Sequence, residues 1–294
     1  MANVADVRWI SDDHFRLAES PLWDERNNRL FWADIPAGNV HALDLDNGRR
    51  AHWHFDGPVG SLGLARSGRL VLAIAGSVHL FDMTREELLL LATPETDFPV
   101  KRLNDGKVGP DGAFWVGSMD ARPVKEPVGA LYRITAEGLT DCKIAGFKVS
   151  NGLAWSVDDR FMFHADSRGP WIDRWHFDKA TGALGERHRL CTLSDAEGRP
   201  DGAACDMDGG YWSCGVSAGC LNRFGSDGTL LARITLPVPA PTMLCFAGHD
   251  MRTAFVTNLC EGLDPGTLAR HPDAGRIFAL DLGVAGVPVQ RFAD

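Results

Sequence analysis

The stretch that decides the fold is NDGKVGPDGAFWVGSM, residues 104–119. A polar pair, Asn104-Asp105, opens a short strand, a Pro-Asp-Gly turn follows, and an aromatic-rich strand completes the unit. The same plan recurs in SPLWDERNNRLFWADI from residue 20, SLGLARSGRLVLAIAG from 61, NGLAWSVDDRFMFHADS from 151, DGAACDMDGGYWSCGV from 201 and TMLCFAGHDMRTAFVTNL from 242. The starts lie roughly 40–50 residues apart, which is the period of a four-stranded propeller blade.

A second phrase recurs after each of these hairpins. Its six copies are VHALDLDNG, VHLFDM, LYRITAEG, WHFDKATG, LNRFGSDG and IFALDL. Many short strands separated by turns are typical of sandwiches, barrels and propellers, and a repeat of this length favours the propeller. We therefore predict an all-β fold, a six-bladed β-propeller that forms a single domain over residues 1–294. Only segments 83–93 and 264–275 have the character of a short helical turn, and the first of them ends more like a strand.

The bulk composition argues against several classes of function. A net charge of −9 disfavours nucleic-acid binding, because contacts to phosphates need clustered Lys and Arg. No stretch reaches the roughly 18 apolar residues of a membrane span, so we expect no membrane partner. The start, MANVADVRWISDD, lacks the basic and apolar regions of a signal peptide. Seven cysteines without a C-x-x-C pair indicate reduced thiols, and we expect a cytoplasmic monomer or weak homodimer.

The repeat openings suggest a polar site. Because each repeat opens at the same place in its blade, Glu19, Asn104, Asn151 and Asp201 should gather around the central channel. Two carboxylates and an amide oxygen, from Glu19, Asp201 and Asn151, make an oxygen-rich set that suits Ca²⁺, Mg²⁺ or Mn²⁺. Zn²⁺ would be an atypical occupant, because it usually takes His or Cys ligands. The alternative is that these polar pairs are ordinary turn formers at strand starts.

Eight phrases in this order carry a resemblance to a known family. They are AESPLW (18–23), KRLNDGKVGPDGAFWVGSM (101–119), GALYRI (129–134), SNGLAWSVDDRFMFHADS (150–167), IDRWHFDKATG (172–182), RPDGAACDMDGGYW (199–212), RITLPVPAPTMLCFAG (233–248) and FVTNL (255–259). The chain closely resembles the SMP-30/gluconolactonase (regucalcin-like) family from about residue 15 to its end. The resemblance implies a six-bladed β-propeller and a sugar lactonase that depends on a divalent metal.

The resemblance also assigns roles to residues. It implies that Glu19, Asn151 and Asp201 hold one divalent ion, which could be Ca, Mn, Mg, Fe or Zn, and that Arg102 and Asn104 contact the substrate. It further implies Asp201 as the general base for the attacking water. A carboxylate bound to a cation has a low proton affinity, so activation of the water by the metal is the alternative.

One position departs from the family pattern. After the Gly-Ser-Met phrase, some members carry acidic residues that face sugar hydroxyls, whereas this chain continues Asp120-Ala121-Arg122. We predict that Arg122 binds substrate and favours an anionic or differently substituted lactone. The alternative is that Arg122 points to solvent.

The predicted function is hydrolysis of an aldonolactone, such as a glucono-, xylono-, arabinono- or galactonolactone, to the aldonic acid. Three alternatives stay open: a related propeller esterase or phosphotriesterase, a calcium-binding regulatory protein without turnover, and an interaction platform. The sequence contains no G-x-S-x-G elbow and no glycine-rich nucleotide-binding loop.

Overall fold

The computed structural model contains six sheets of four antiparallel strands, one of which is extended by a short parallel strand, and it describes residues 5–294 and, within residues 139–141, the backbone alone. The first four residues of the predicted 1–294 domain lie outside the described residues. The first strand of each sheet contacts the first strand of the next sheet, and the sixth contacts the first. The sheets are therefore the blades of a closed ring, and the prediction of an all-β, six-bladed propeller is confirmed.

The blades follow one another along the chain. Blade 1 contains β2 (Ala18–Asp24), β3 (Arg29–Asp34), β4 (Asn39–Asp44) and β5 (Arg50–His54). Blade 2 contains β6 (Val59–Ala65), β7 (Leu70–Ile74), β8 (Ser77–Asp82) and β9 (Glu87–Ala92). Blade 3 contains β10 (Lys101–Val108), β11 (Phe114–Asp120), β12 (Gly129–Thr135) and β13 (Gly138–Phe147).

The second half of the chain repeats the arrangement. Blade 4 contains β14 (Ser150–Trp155), β15 (Phe161–Asp166), β16 (Trp171–Asp178) and β17 (Ala183–Thr192). Blade 5 contains β18 (Pro200–Cys205), β19 (Tyr211–Gly215), β20 (Cys220–Phe224) and β21 (Leu230–Thr235). Blade 6 contains β22 (Pro241–Ala247), β23 (Thr253–Asn258), the helix α1 (Pro265–Arg270), β24 (Phe278–Asp281) and, as its outer strand, β1 (Arg8–Trp9). A last strand, β25 (Arg291–Phe292), pairs in parallel with β6.

Strand β1 closes the ring, because it comes from the start of the chain and pairs with β24 near its end. Trp9 lies opposite Phe278, and their rings meet edge to face at 5.4 Å between centroids. The Arg276 guanidinium lies 4.9 Å from the centre of the Trp9 ring. Among the described residues, no helix is long and apolar enough to span a bilayer.

The core lies between neighbouring blades. Trp115, Trp155 and Phe177 pack edge to face with centroids 5.8–6.1 Å apart, and all three are buried. The first strands are buried almost throughout, and their apolar residues fill the spaces between blades. This packing leaves the polar residues at the strand starts as the side chains that line the channel mouth.

Every first strand carries a bulge, with one extra residue against its partner. The bulges lie between Glu19 and Leu22, Val59 and Ser61, Leu103 and Gly106, Asn151 and Ala154, Pro200 and Ala203, and Pro241 and Leu244. A bulge bends a strand and redirects the side chains beside it. In this protein the bulges coincide with the polar repeat openings.

The two helical predictions had different outcomes. Segment 264–275 contains α1, whose first turn is capped by the Asp264 carboxylate accepting from the Thr267 amide at 3.0 Å. Segment 83–93 contains no helix: it begins with a turn and ends, as its sequence indicates, in strand β9 (Glu87–Ala92), which pairs with β8. Pairing with the sheet outweighs the modest helix preference of a leucine run.

Candidate metal and substrate site

One cavity at a mouth of the channel brings together five of the predicted site residues. Glu19 from β2, Arg102 and Asn104 from β10, Asn151 from β14 and Asp201 from β18 all line it. A second cavity is lined by residues near the other ends of these strands, including Leu22, Val108 and Ala154. The predicted site thus lies at the mouth where the first strands begin.

A hydrogen-bond chain connects four of these residues. The Arg102 guanidinium donates to Asn104 Oδ1 at 2.7 Å, and Asn104 Nδ2 approaches Asn151 Oδ1 at 3.3 Å. Asn151 Nδ2 then donates to Asp201 Oδ1 at 2.6 Å. The two amides are also held by neighbours: Asn104 Nδ2 donates to the Ser150 carbonyl at 2.9 Å, and Asn151 Nδ2 to Ser167 Oγ at 2.8 Å. The chain fixes the orientation of side chains from three blades.

The two carboxyl groups of the site have raised pKa values. Burial and then the charges of Asp201 and Asp105 raise the pKa of Glu19 well above its usual value, against the lowering effect of the Ser20 amide and Arg102. Burial and then Asp105 raise the pKa of Asp201 to about 8, although nearby guanidinium groups lower it. Two acidic groups crowded into one low-dielectric site make a place where a cation is favoured.

Arg102 remains a cation in this site. Burial lowers the pKa of its guanidinium to about 10, while Glu19 and Asp201 act in the opposite direction. At neutral pH the side chain is therefore protonated and can donate hydrogen bonds. Its position between the acidic pair and Asn104 lets it serve both the charge balance of the site and a bound ligand.

The donor set fits a hard divalent ion. Within residues 5–294 no group of three or more His, Cys, Asp and Glu has the arrangement of a metal site. The candidate set differs from such a group because one of its three members is an amide, Asn151. Ser20 N donates to Glu19 Oε2, and Asn151 Nδ2 donates to Asp201 Oδ1. The second oxygen of each carboxylate, Glu19 Oε1 and Asp201 Oδ2, accepts no hydrogen bond from the described residues. Carboxylate and amide oxygens are the ligands that Ca²⁺, Mg²⁺ and Mn²⁺ prefer.

Two aspartates outside the predicted set of site residues hold the backbone that leads into the site. Asp34, at the end of β3, accepts from the amides of Arg16 and Leu17 at 3.2 and 3.1 Å, just before Glu19. Asp166, at the end of β15, accepts from the amides of Val149 and Arg168 at 3.1 and 2.9 Å. The signal was present, because both end the second strand of a repeat, in FWAD and FHAD.

Arg122 has a different setting from the other predicted residues. Its Nε and Nη2 donate to the two carboxylate oxygens of Asp120 at 2.9 and 2.7 Å. Arg122 is not among the described residues that line the cavity. Its contact with substrate stays a prediction. Three cations that sequence analysis missed, Lys125, Arg168 and Arg199, do line the cavity.

Fold and site together define a six-bladed propeller with an oxygen-rich, cation-competent cavity at one channel mouth. The chain belongs to the SMP-30/gluconolactonase/LRE-like family, whose sequence profile matches residues 17–259, so the resemblance inferred from its motifs is confirmed.

The chain is similar to named relatives over nearly its whole length. It is 32% identical to regucalcin of Gallus gallus over 293 residues, with 98% of each chain covered. It is 35% identical to 6-deoxy-6-sulfogluconolactonase of Pseudomonas putida over 278 residues, with 94% of this chain and 95% of the relative covered. The solved structure of the calcium-binding protein regucalcin from Agrobacterium tumefaciens has a TM-score of 0.92 and 25% identity, with 100% of both chains covered.

Proposed function

We propose that this protein is a divalent-metal-dependent lactonase that hydrolyses a sugar lactone to the aldonic acid. The observation that carries the proposal is the convergence of Glu19, Asn151 and Asp201 with Arg102 and Asn104 in one cavity. Metal binding alone needs no arginine, whereas a polyhydroxylated substrate needs donors beside the ion. Relatives named as lactonases, including the sulfogluconolactonase of Pseudomonas putida, support the same reaction class.

The residues divide into two groups in this proposal. Glu19, Asn151 and Asp201 hold the ion, which when bound polarises the lactone carbonyl as a Lewis acid. Arg102 donates hydrogen bonds to the sugar hydroxyls, Asn104 Oδ1 accepts one, and together they fix the ring in the cavity. Because Asn104 is itself held by Ser150 and Arg102, it has little freedom to rotate away from a bound ring.

The reaction is a simple hydrolysis. The oxygen of water bonds to the lactone carbonyl carbon, and the bond between that carbon and the ring oxygen breaks. The ring oxygen leaves as a hydroxyl after it receives a proton, and the new carboxylic acid releases one proton at neutral pH. We propose the Asp201 carboxylate, which is partly open to the cavity, as the group that takes the proton from the water and passes it to the departing ring oxygen.

The test is metal-dependent proton release on a panel of lactones. The protein is stripped with a chelator and then supplied with Ca²⁺, Mg²⁺, Mn²⁺, Fe²⁺ or Zn²⁺ in turn, with glucono-, xylono-, arabinono- and galactonolactone as substrates. Spontaneous opening is subtracted from each rate. We expect turnover of at least one lactone with at least one ion, and no turnover above background in the stripped protein.

A calcium-binding protein without turnover is the second candidate. The similarity to a solved structure described as a calcium-binding protein favours it. Aryl esters and phosphotriesters in the same panel cover the related hydrolases. Tight binding of one ion, with no lactone or ester opened under any condition, would contradict the lactonase and favour the binding protein.

A further inference from the structure

Four cationic side chains line the candidate site, in a chain whose net charge is −9. They are Arg102, Lys125, Arg168 and Arg199. The carboxylates that line the same cavity are those of Glu19 and Asp201. A divalent ion held by these two carboxylates would offset them, and the four cations would give the cavity lining a net positive charge, although the exposed Asp195 pairs with Arg199. The cavity is therefore electropositive once an ion is bound, unlike the protein as a whole.

Three of these cations come from loops on the face where the site lies. Lys125 lies between β11 and β12, Arg168 between β15 and β16, and Arg199 directly before β18. The loops surround the strand residues that form the metal and substrate groups. Side chains on loops over a rigid scaffold are well placed to select the outer part of a ligand.

The contacts of the three loop cations with the described residues leave part of their charge and some of their hydrogen-bond donors available to a ligand. Lys125 Nζ donates to the carbonyl of Asp120 at 2.7 Å, which is a neutral partner. Arg199 pairs with Asp195, whose side chain is 77% exposed, and its buried Nε has no hydrogen-bond partner among the described residues. For the exposed Arg168 guanidinium, the structure records no ion pair within residues 5–294.

These cations also act on one another and on the acidic pair. Burial and then the charges of Arg102 and Arg168 lower the pKa of Lys125, against the effect of Asp120. Arg199, Arg102 and Arg168 each lower the pKa of Asp201. The like charges are thus close enough to repel, which is a cost that an anionic ligand would remove.

We propose that Lys125, Arg168 and Arg199 form an anion subsite, which selects sugar lactones with an anionic substituent at the end remote from the lactone carbonyl. The substituent is a carboxylate, sulfonate or phosphate, groups that guanidinium donors bind with paired, charge-assisted hydrogen bonds. The inference rests on the proposed function, because the lactone end must lie at Glu19, Asn151 and Asp201. A neutral aldonolactone would offer the loop cations no anionic group.

The test compares matched lactones with and without the anionic group. D-Glucono-1,5-lactone is set against its analogues with a carboxylate, sulfonate or phosphate at carbon 6, with the metal-loaded protein. We expect kcat/KM to be at least roughly tenfold higher for one anionic analogue, as expected for charge-assisted hydrogen bonds. The advantage should shrink as salt concentration rises. The preferred analogue identifies which of the three anions the subsite takes.

Single substitutions assign the effect to the loop cations. Arg168→Gln and Arg199→Gln should each lower the ratio of kcat/KM for the anionic lactone to kcat/KM for the neutral lactone by roughly tenfold. Arg160→Gln is the matched control, because Arg160 is 66% exposed in the turn at the far end of β14. If the Arg199→Gln variant fails to fold, the Arg168→Gln and Lys125→Gln variants test the anion subsite in its place, since Arg168 is exposed.

The outcomes separate this inference from the proposed function. Equal or better turnover of the neutral lactone by the wild-type protein overturns the anion subsite and leaves the lactonase intact. If no lactone is opened, calorimetric titration with gluconate and 6-phosphogluconate tests the anion subsite, because it compares the affinities of a sugar acid with and without the phosphate. Tighter binding of the phosphorylated acid, lost in Arg168→Gln, supports the subsite, whereas equal binding of the two acids overturns it.

Discussion

At Asp201, burial and the neighbouring Asp105 outweigh three nearby guanidinium groups, so the pKa of the carboxyl rises to about 8. An acidic group in this state prefers to hold a proton in the folded protein. A divalent ion competes with that proton for the same oxygens, so metal affinity should rise with pH. Glu19 has a raised pKa in the same cavity and adds to the effect.

The raised pKa of Asp201 predicts how the stability of the metal-free protein depends on pH. Between about 4, the unfolded value, and about 8, the folded protein holds a proton that the unfolded chain has released. Stability should therefore fall as pH rises through this window, by up to about 1.4 kcal/mol per pH unit. Asp201→Asn removes this contribution, so the stripped variant should be more stable than wild type at pH 8.

Urea unfolding in the presence of chelator, at pH 5 and pH 8, measures this difference. Asp208→Asn is the control, because Asp208 is exposed in the turn after β18. Its pH profile should follow that of the wild-type protein. Parallel profiles for wild type and Asp201→Asn would show that the carboxyl has an ordinary pKa.

Sequence analysis predicted strand residues that line the cavity, but not the loop residues that line it. Glu19, Asn151 and Asp201 occupy equivalent positions in a repeat, so symmetry predicts that they converge. Lys125 and Arg168 lie in loops that differ in length and sequence between blades, and no repeat predicts their course. The pairing of Arg122 with Asp120 likewise depends on the local backbone after β11.

The bulges orient the side chains that line the cavity. In β14 the bulge includes Gly152, which has φ of +68°, directly after Asn151. A Cβ at this position would lie 2.6 Å from Tyr211 Oη and 2.9 Å from Ala165 Cβ. Tyr211 is fully buried and donates to the Gly152 carbonyl at 2.9 Å, so it has little room to yield. The orientation of Asn151 therefore depends on a glycine at 152.

Gly152→Ala should destabilise the protein and displace Asn151. The positive φ costs about 1–2 kcal/mol in any L-residue, and the steric clash adds roughly 1–3 kcal/mol. Gly209→Ala is the matched control, since Gly209 has φ of +83° and a Cβ at this position would meet no atom within 4 Å. Urea unfolding should show a larger loss for Gly152→Ala, and equal losses in the two variants would contradict the role of the clash.

Strands were predictable where apolar residues and turns repeat, and less so at the blade edges. All six third strands lie at the predicted recurrent phrases, from β4 to β24. In segment 83–93 a helical turn was predicted before a strand-like end, and only the strand, β9, is present, because a run of leucines has no clear period. Strand β1 has two residues and is defined by its long-range pairing with β24, which no local pattern encodes.

The whole molecule depends on closure of the ring. The six first strands contact one another in sequence, and β1 joins the start of the chain to the last blade. We propose on this basis that residues 1–294 form one domain. Urea unfolding followed by tryptophan fluorescence and by circular dichroism should give coincident transitions, because the nine tryptophans are distributed along the chain.

Trp9→Ala tests the closure. Loss of the contacts with Phe278 and Arg276 should lower the free energy of unfolding by about 1–2 kcal/mol. The transition should shift as a whole, because a weakened closure destabilises every blade. A split into two transitions would instead show that blade 6 unfolds separately and would contradict the single domain.

The most direct measurement is a stoichiometric titration of the chelator-stripped protein with its activating ion, while lactone opening is followed. We predict that turnover rises in proportion to added ion and stops at one ion per chain. Asp201→Asn should show no turnover at any ion concentration, although its circular dichroism matches that of the wild-type protein. Full turnover by the stripped wild-type protein, or equal restoration in Asp201→Asn and Asp208→Asn, would contradict the proposed site.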